Sequence, residues 1–283
     1  MKLIECPRDA MQGLDEFIPT SDKVRYINQL LKVGFDTIDF GSFVSAKAIP
    51  QMRDTADLLG QLEWEQSNSR LLAIVANARG AQEAASHKAI TYLGFPLSIS
   101  ETFQKRNTNK SIAEALNTLV EIQSICQQSD KKLVTYISMG FGNPYGDPYD
   151  VDLVSQFVDI LVTLNSDVIS LADTVGISSP DLIHHLFSTL TKKYPLQEIG
   201  VHLHSNIPQS IEKIEAAYAS GCRRFDGALK GFGGCPMAKD DLVGNIATET
   251  IIDYMYSVRE QMTINPDELR KAIQLADEIF PKG

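Results

Sequence analysis

The chain is short of cysteine, of histidine, of positive charge and of long apolar runs, and each shortage removes a class of function. Its four cysteines, Cys6, Cys126, Cys222 and Cys235, stand far apart and form no C-x-x-C pair. That spacing argues against a disulfide framework and a thiolate-rich zinc site, and it fits a reducing compartment. Lys and Arg number 26 against 36 Asp and Glu, a formal charge of -10. Such a balance repels phosphate backbones and anionic lipid, so neither nucleic acid nor a membrane is an expected partner. No apolar run is long enough to span a bilayer, and Met1-Lys2-Leu3-Ile4-Glu5 leads directly into a strand-like segment, so a cytoplasmic protein is expected.

What is present is an ordinary globular composition, 43% hydrophobic, enough to fill a sizeable core over 283 residues. Short β-rich runs alternate with amphipathic segments along the whole chain, the signature of βα units around a parallel sheet. Candidate strands run over Lys2 to Cys6, Thr37 to Phe40, Leu71 to Val75, Ala89 to Leu93, Lys132 to Ser138, Val168 to Leu171, Glu198 to His204 and Arg223 to Phe225. Helical spacing is read at 21–33, 49–62, 78–87, 112–128, 150–164, 180–193, 209–220 and 246–258, and a final helix at 266–279 packs outside. Eight strands predict a single (β/α)8 TIM barrel over residues 1–283 with an additional C-terminal helix.

In that fold the catalytic groups sit at the carboxyl ends of the strands. Strand one ends in Pro7-Arg8-Asp9, strand two in Asp39, strand six in Ala172-Asp173-Thr174 and strand seven in His202-Leu203-His204; strand eight feeds a loop carrying Gly233-Gly234-Cys235. Residues two apart on a strand face the same way, so His202 and His204 aim at one point. Two imidazoles and a carboxylate form a common divalent-metal constellation, and Asp9 is the natural carboxylate, because strand one closes the barrel beside strand eight. An H-x-H pair can equally be two satisfied histidines, but its place at a strand's carboxyl end favours the metal. His87, His184 and His185 fall in helical patterns and read as solvated or packed side chains.

Arg8 is either an ion pair closing the barrel mouth or a clamp for a developing oxyanion. Asp39 and Asp173 are either acid/base groups or helix caps. Cys235, on a glycine-rich loop, is a candidate acid, whereas Cys126 and Cys222 read as packing residues. Asn77 and Asn143-Pro144-Tyr145-Gly146 border the same mouth, as site residues or as turn chemistry alone.

Taken together, Pro7-Arg8-Asp9-Ala10-Met11-Gln12, Ser42-Phe43-Val44-Ser45, Ser170-Leu171-Ala172-Asp173-Thr174-Val175-Gly176, Val201-His202-Leu203-His204, Gly231-Phe232-Gly233-Gly234-Cys235-Pro236 and Gly244-Asn245-Ile246-Ala247-Thr248-Glu249 resemble the hydroxymethylglutaryl-CoA lyases, in order along nearly the whole chain. The resemblance implies magnesium or manganese held by Asp9, His202, His204 and Asn245. It implies that Arg8 stabilises an enolate-like oxygen, that Asp173 and Asp39 belong to the catalytic apparatus, and that Cys235 protonates the product carbanion. Gln12, Ser42, Asn77 and Thr174 are carried over as substrate-binding residues, the substrate being an acyl-CoA, and a homodimer is expected.

The chain departs from this family at particular points. Asp39 stands where a Glu is usual, Ser205 where an Asp follows the second histidine, Asn206-Ile207-Pro208 where Thr-Tyr-Gly is usual, and Val134 where strand five commonly has an arginine. The stretch from Cys235 to Asn245 is one residue longer. The metal ligands are untouched, but a related branched 3-hydroxyacyl-CoA or a 2-hydroxy acid enters as substrate. Two other readings stay open: a Claisen-condensing acyltransferase resembling isopropylmalate or homocitrate synthase, and a catalytically silent barrel that binds a CoA ester or a metal.

Overall fold

Short aliphatic runs make the wall, and the helices between them return the chain to the same end after each strand. The computed structural model describes residues 1–234 and 243–280. Among the described residues eight strands, β1 (Lys2–Glu5), β2 (Thr37–Ser42), β3 (Arg70–Ile74), β4 (Ile90–Ser98), β5 (Lys132–Ser138), β6 (Val168–Asp173), β7 (Glu198–Leu203) and β8 (Arg224–Gly227), follow one another in a closed parallel barrel. Closure comes from β1 and β8, paired at Leu3 with Phe225 and Ile4 with Asp226. The expected TIM barrel is therefore the fold.

The helices are α1 (Pro7–Gln12), α2 (Thr20–Val33), α3 (Thr55–Leu59), α4 (Ala78–Ser86), α5 (Glu101–Thr108) and α6 (Ile112–Gln128). They continue with α7 (Val151–Thr163), α8 (Pro180–Lys193), α9 (Ile207–Ala219), α10 (Thr248–Ser257) and the outer α11 (Pro266–Ile279). Their starts are written in the sequence: Ser111 and Glu114 form a reciprocal capping box at α6, and Asp150, Ser179, Asn206 and Asn265 each accept a first-turn amide. Along α6, Ala115, Leu119, Ile122 and Cys126 form one buried stripe against the wall.

Several boundaries differ from expectation for local reasons. Pro7 does not end β1 but opens α1, where its fixed φ and missing N–H suit the first helical position, so Arg8 and Asp9 stand on a helical turn over the barrel mouth. The helix expected over 49–62 breaks into a single 3-10 turn at Pro50–Met52 and α3, because the Thr55 hydroxyl occupies the Met52 carbonyl at 2.8 Å. Two helices were not anticipated, α1 and α5; α5 buries only Phe103 and Gln104 and so carries no apolar stripe. Strand β8 runs on to Gly227 and so includes Asp226.

Two cores result. One lies between wall and helices, filled by residues such as Leu30, Phe40, Leu93, Leu119 and Phe187. The other fills the barrel's interior with Leu72, Ile74, Tyr92, Val134, Tyr136 and Val168. Val134 belongs to this apolar wall; a guanidinium nevertheless enters the interior from β8, where Arg224 is buried 5.8 Å from the Tyr92 ring. Gly200 on β7 makes room for it, since a Cβ there would lie 2.9 Å from the Arg224 side chain.

Candidate metal centre at the carboxyl rim

Because all the strands run the same way, their carboxyl ends share one rim, and the polar residues meet there. His202, on β7, pairs in register with Asp226 on β8, and its neighbour but one, His204, follows β7 directly. The two imidazoles converge with Nε2 atoms 3.2 Å apart. After β8 the chain returns along this edge: His204 and Asn245 form an antiparallel bridge, with Ser205 N–H donating to Gly244 O at 3.1 Å and Ile246 N–H to Leu203 O at 3.1 Å. That short ladder fixes the Asn245 side chain beside His204. Asp9 arrives from α1, accepting from Asn245 Nδ2 at 2.7 Å and from Gln12 Nε2 at 2.9 Å.

The donor set fits a hard divalent cation. One ligand atom each from Asp9, His202 and His204 lies within 4.8 Å of the others. Among the described residues the Asn245 carbonyl oxygen, Oδ1, is buried without a hydrogen-bond partner, an arrangement that normally costs about 1–3 kcal/mol and that a cation would relieve. Protonation states agree. Burial pushes the Asp9 carboxyl up, but Arg8 and the two imidazoles outweigh it and hold it at about 2. Burial and the neighbouring His202 lower His204 to about 4, leaving it neutral with a lone pair to give. For His202, burial favours the neutral ring, but Asp226, 3.3 Å from Nδ1, and Asp9 outweigh it and raise the imidazole.

Arg8 ties the centre to the wall. Its Nε donates to both Asp39 oxygens at 3.2 and 3.0 Å and its Nη2 to Oδ2 at 2.5 Å, while Nη1 donates to Asp9 at 3.0 Å and to Gln12 Oε1 at 2.8 Å. This fork keeps the guanidinium planar and charged at the mouth, 8% exposed. Burial is the larger influence on Asp39 and lifts it to about 6 in spite of Arg8.

Comparison with known proteins decides what this arrangement belongs to. The HMGL-like family model matches residues 3–276. The chain is a member of the HMGL-like family. It is 32% identical over 280 residues to the hydroxymethylglutaryl-CoA lyase YngG of Bacillus subtilis, covering 98% of this chain and 90% of that one. To the cytoplasmic 3-hydroxy-3-methylglutaryl-CoA lyase of Rattus norvegicus it is 32% identical over 281 residues, covering 99% and 80%. Among solved structures, the HMG-CoA lyase of Acinetobacter baumannii in complex with coenzyme A and 3-methylmalate superposes with a TM-score of 0.91 at 30% identity, covering 99% of this chain and 90% of that one.

For an HMGL-like chain, the sequence-derived site residues divide into three groups. Arg8, Asp9, Gln12, Asp39, His202, His204 and Asn245 form one connected cluster. Asp173 stands in a neighbouring one: Oδ1 accepts from Ile177 N–H at 2.9 Å, and Oδ2 accepts from Ser178 and from Lys213 at 3.1 Å. Lys213 also donates to the His204 carbonyl at 3.0 Å, so the two clusters touch through the backbone. Ser42, Asn77 and Thr174 are engaged locally: Ser42 accepts from Val44 N–H, Asn77 caps α4 at Gly80 N–H, and Thr174 accepts from Met139 N–H. Asn143 likewise holds a turn, accepting from Tyr145 and Asp147 amides. Cys235 lies outside the described residues.

Two residues escaped the sequence reading. Asp226 was lost by ending the last strand at Phe225, although its place two residues after Arg224 on a strand puts both in the interior. Lys213, buried on α9, stands in an amphipathic pattern where a lysine reads as exposed, and only its contacts reveal it. Among the described residues no helix is long and apolar enough to cross a membrane.

Proposed function

We propose that this chain cleaves hydroxymethylglutaryl-CoA, or a close 3-hydroxyacyl-CoA, to acetyl-CoA and acetoacetate, as a carbon–carbon lyase with Asp9, His202, His204 and Asn245 holding magnesium or manganese. The observation that carries this reading is the convergence of two Nε2 atoms, a low-pKa carboxylate and an orphaned amide oxygen beside a charged arginine. A divalent cation held by Asp9, His202, His204 and Asn245 would supply Lewis-acid polarisation, making the substrate's tertiary hydroxyl easier to deprotonate.

The chain's own groups do the rest. Bond cleavage sends electrons toward the thioester carbonyl, and Arg8 faces that oxygen as it becomes negative. Asp39 and Gln12 hold Arg8 in place, so its orientation is set before substrate arrives. Asp173 and Lys213 act as positioning residues for His204 through its carbonyl.

Cys235 supplies the proton to the product carbanion. Support comes from its neighbour Gly233, where φ is 97° and an added Cβ would lie 2.7 Å from Asn245 Nδ2 and 2.9 Å from the Asp9 carbonyl. The backbone leading into Gly234-Cys235 therefore presses on two of the ligands. One catalytic unit over residues 1–283, a homodimer and a cytoplasmic setting complete this reading.

Purified protein with magnesium is expected to release acetoacetate and acetyl-CoA from hydroxymethylglutaryl-CoA, and Cys235→Ala to lose nearly all of that release while still binding manganese. Thiol release from acetyl-CoA and a 2-oxo acid, with no acetoacetate formed, would instead establish the condensing acyltransferase.

A further inference from the structure

The metal centre uses one face of His202; the other face looks into a second group of ligand atoms. Cys6 caps the end of β1, Asp226 projects from β8 into the interior, and His202 pairs with Asp226 across β7 and β8. These three strands are neighbours in the closed barrel, so the three side chains meet just inside the rim. One ligand atom each from Cys6, His202 and Asp226 lies within 4.8 Å of the others, and His202 Nδ1 is 3.3 Å from Asp226 Oδ2. All three side chains are buried.

We propose that Cys6, His202 and Asp226 form a second cation site, distinct from the Asp9 centre, for a thiophilic divalent ion such as Zn2+ or Cd2+. Three observations support it. The other Asp226 oxygen, Oδ1, has no hydrogen-bond partner among the described residues, and the residue is only 3% exposed, so a carboxylate lone pair stands ready in the interior. The carboxylates of Asp226, Asp39 and Asp9 all act on the Cys6 thiol, and a cation is the group that such carboxylates attract. Finally, sulfur, imidazole nitrogen and carboxylate oxygen, with a fourth position left for water, make a tetrahedral set suited to zinc or cadmium and poorly suited to magnesium.

A neutral imidazole has one lone pair. His202 therefore serves this ion through Nδ1 or the Asp9 centre through Nε2, and not both together. On binding, the Cys6 S–H bond breaks and a sulfur–metal bond forms, the proton passing to solvent, while the single N–H of His202 moves from Nδ1 to Nε2. No electron changes hands. A thiophilic ion would then inhibit by withdrawing one of the four ligands, without occupying the catalytic position. The site depends on Cys6 and does not require the lyase assignment.

Cadmium titration of the Cys235→Ala protein tests this, since that background removes the cysteine proposed as the proton donor. The expected result is a thiolate-to-cadmium charge-transfer absorption that saturates with one ion bound per chain, and its loss in Cys6→Ala/Cys235→Ala and Cys6→Ser/Cys235→Ala proteins that keep the wild-type circular dichroism. Cadmium bound with no such absorption overturns the proposal, as do an absorption that survives loss of Cys6, two ions bound at once, or no cadmium bound at all. Should neither double variant fold, anomalous scattering from a cadmium-soaked Cys235→Ala crystal decides: a peak among Cys6, His202 and Asp226 supports the site, and its absence overturns it.

Discussion

Two buried acid clusters lie side by side at the carboxyl rim and differ in one respect. Around Asp173 the bonds close on themselves: its two oxygens accept from Ile177, Ser178 and Lys213, and the lysine ammonium donates to Asp173, Gly176 O and His204 O. Around Asp9 they do not close, because His204 Nδ1, Asn245 Oδ1 and Asp226 Oδ1 are buried without partners among the described residues. A fold seldom leaves buried polar atoms unsatisfied unless something else is meant to satisfy them. On the proposed reading the closed cluster holds the His204 backbone in place and the open one receives the cation.

The harshest way to break this distinction is to cut into the open cluster. His204→Ala and Asp9→Asn should each largely abolish manganese binding, read by equilibrium dialysis, and with it acetoacetate release, while the protein stays folded because Asn at position 9 keeps an acceptor for Arg8 and Gln12. Manganese held by either variant as tightly as by the wild type would mean that the altered residue is not a ligand.

The closed cluster should respond in the opposite sense. Lys213→Met leaves Asp173 buried without its cation, and removing one partner of a buried pair costs about 3–5 kcal/mol. Urea unfolding should show a loss of that order, while the molecules that remain folded still bind manganese, only a few-fold more weakly because His204 has lost the bond on its carbonyl. A variant as stable as the wild type, with only turnover reduced, would move Asp173 and Lys213 into the chemistry.

A smaller effect is expected where the clusters' logic is mixed. Asp226 orients His202 from behind, so Asp226→Asn should weaken manganese binding about 10- to 100-fold without abolishing it. Unchanged affinity would show that His202 needs no orienting partner.

How far the sequence reaches follows the same division. The barrel was legible because strand and helix periods alternate along the chain, and His202 and His204 because residues two apart on a strand must share a face. Asp9 was legible from position, though its helical turn was not: nothing before Pro7 distinguishes a strand's last residues from a proline-opened turn. Asn245 was reachable only through resemblance, since the bridge that brings it to His204 joins residues 41 apart in sequence. Whether a polar residue closes a local network or leaves an atom open depends on tertiary partners. Ser42, Asn77 and Thr174, carried over by resemblance, accept from the amides of Val44, Gly80 and Met139, contacts that the sequence does not reveal.

Glu5 sharpens the comparison from the outer side of the barrel. Its carboxyl is fully buried at the end of β1, where Oε1 accepts from Leu229 N–H at 2.9 Å and Oε2 from the Thr248 hydroxyl at 2.6 Å, so it too is a closed arrangement. Burial dominates and, with a contribution from Glu249 and against these two bonds, raises the carboxyl from 4.5 to about 8. The native state therefore holds a proton that the unfolded chain releases above its ordinary carboxylate pKa. Stability from this group is fully present below pH 4.5 and is lost as pH rises through about 8. Between pH 7 and 8 the wild type should lose roughly 1 kcal/mol more than Glu5→Gln, whose amide is neutral at every pH and keeps an acceptor for Leu229. Parallel urea titrations at the two pH values measure the difference, and equal slopes for both proteins would mean that Glu5 is ionised in the fold and that its pocket is more polar than its neighbours imply.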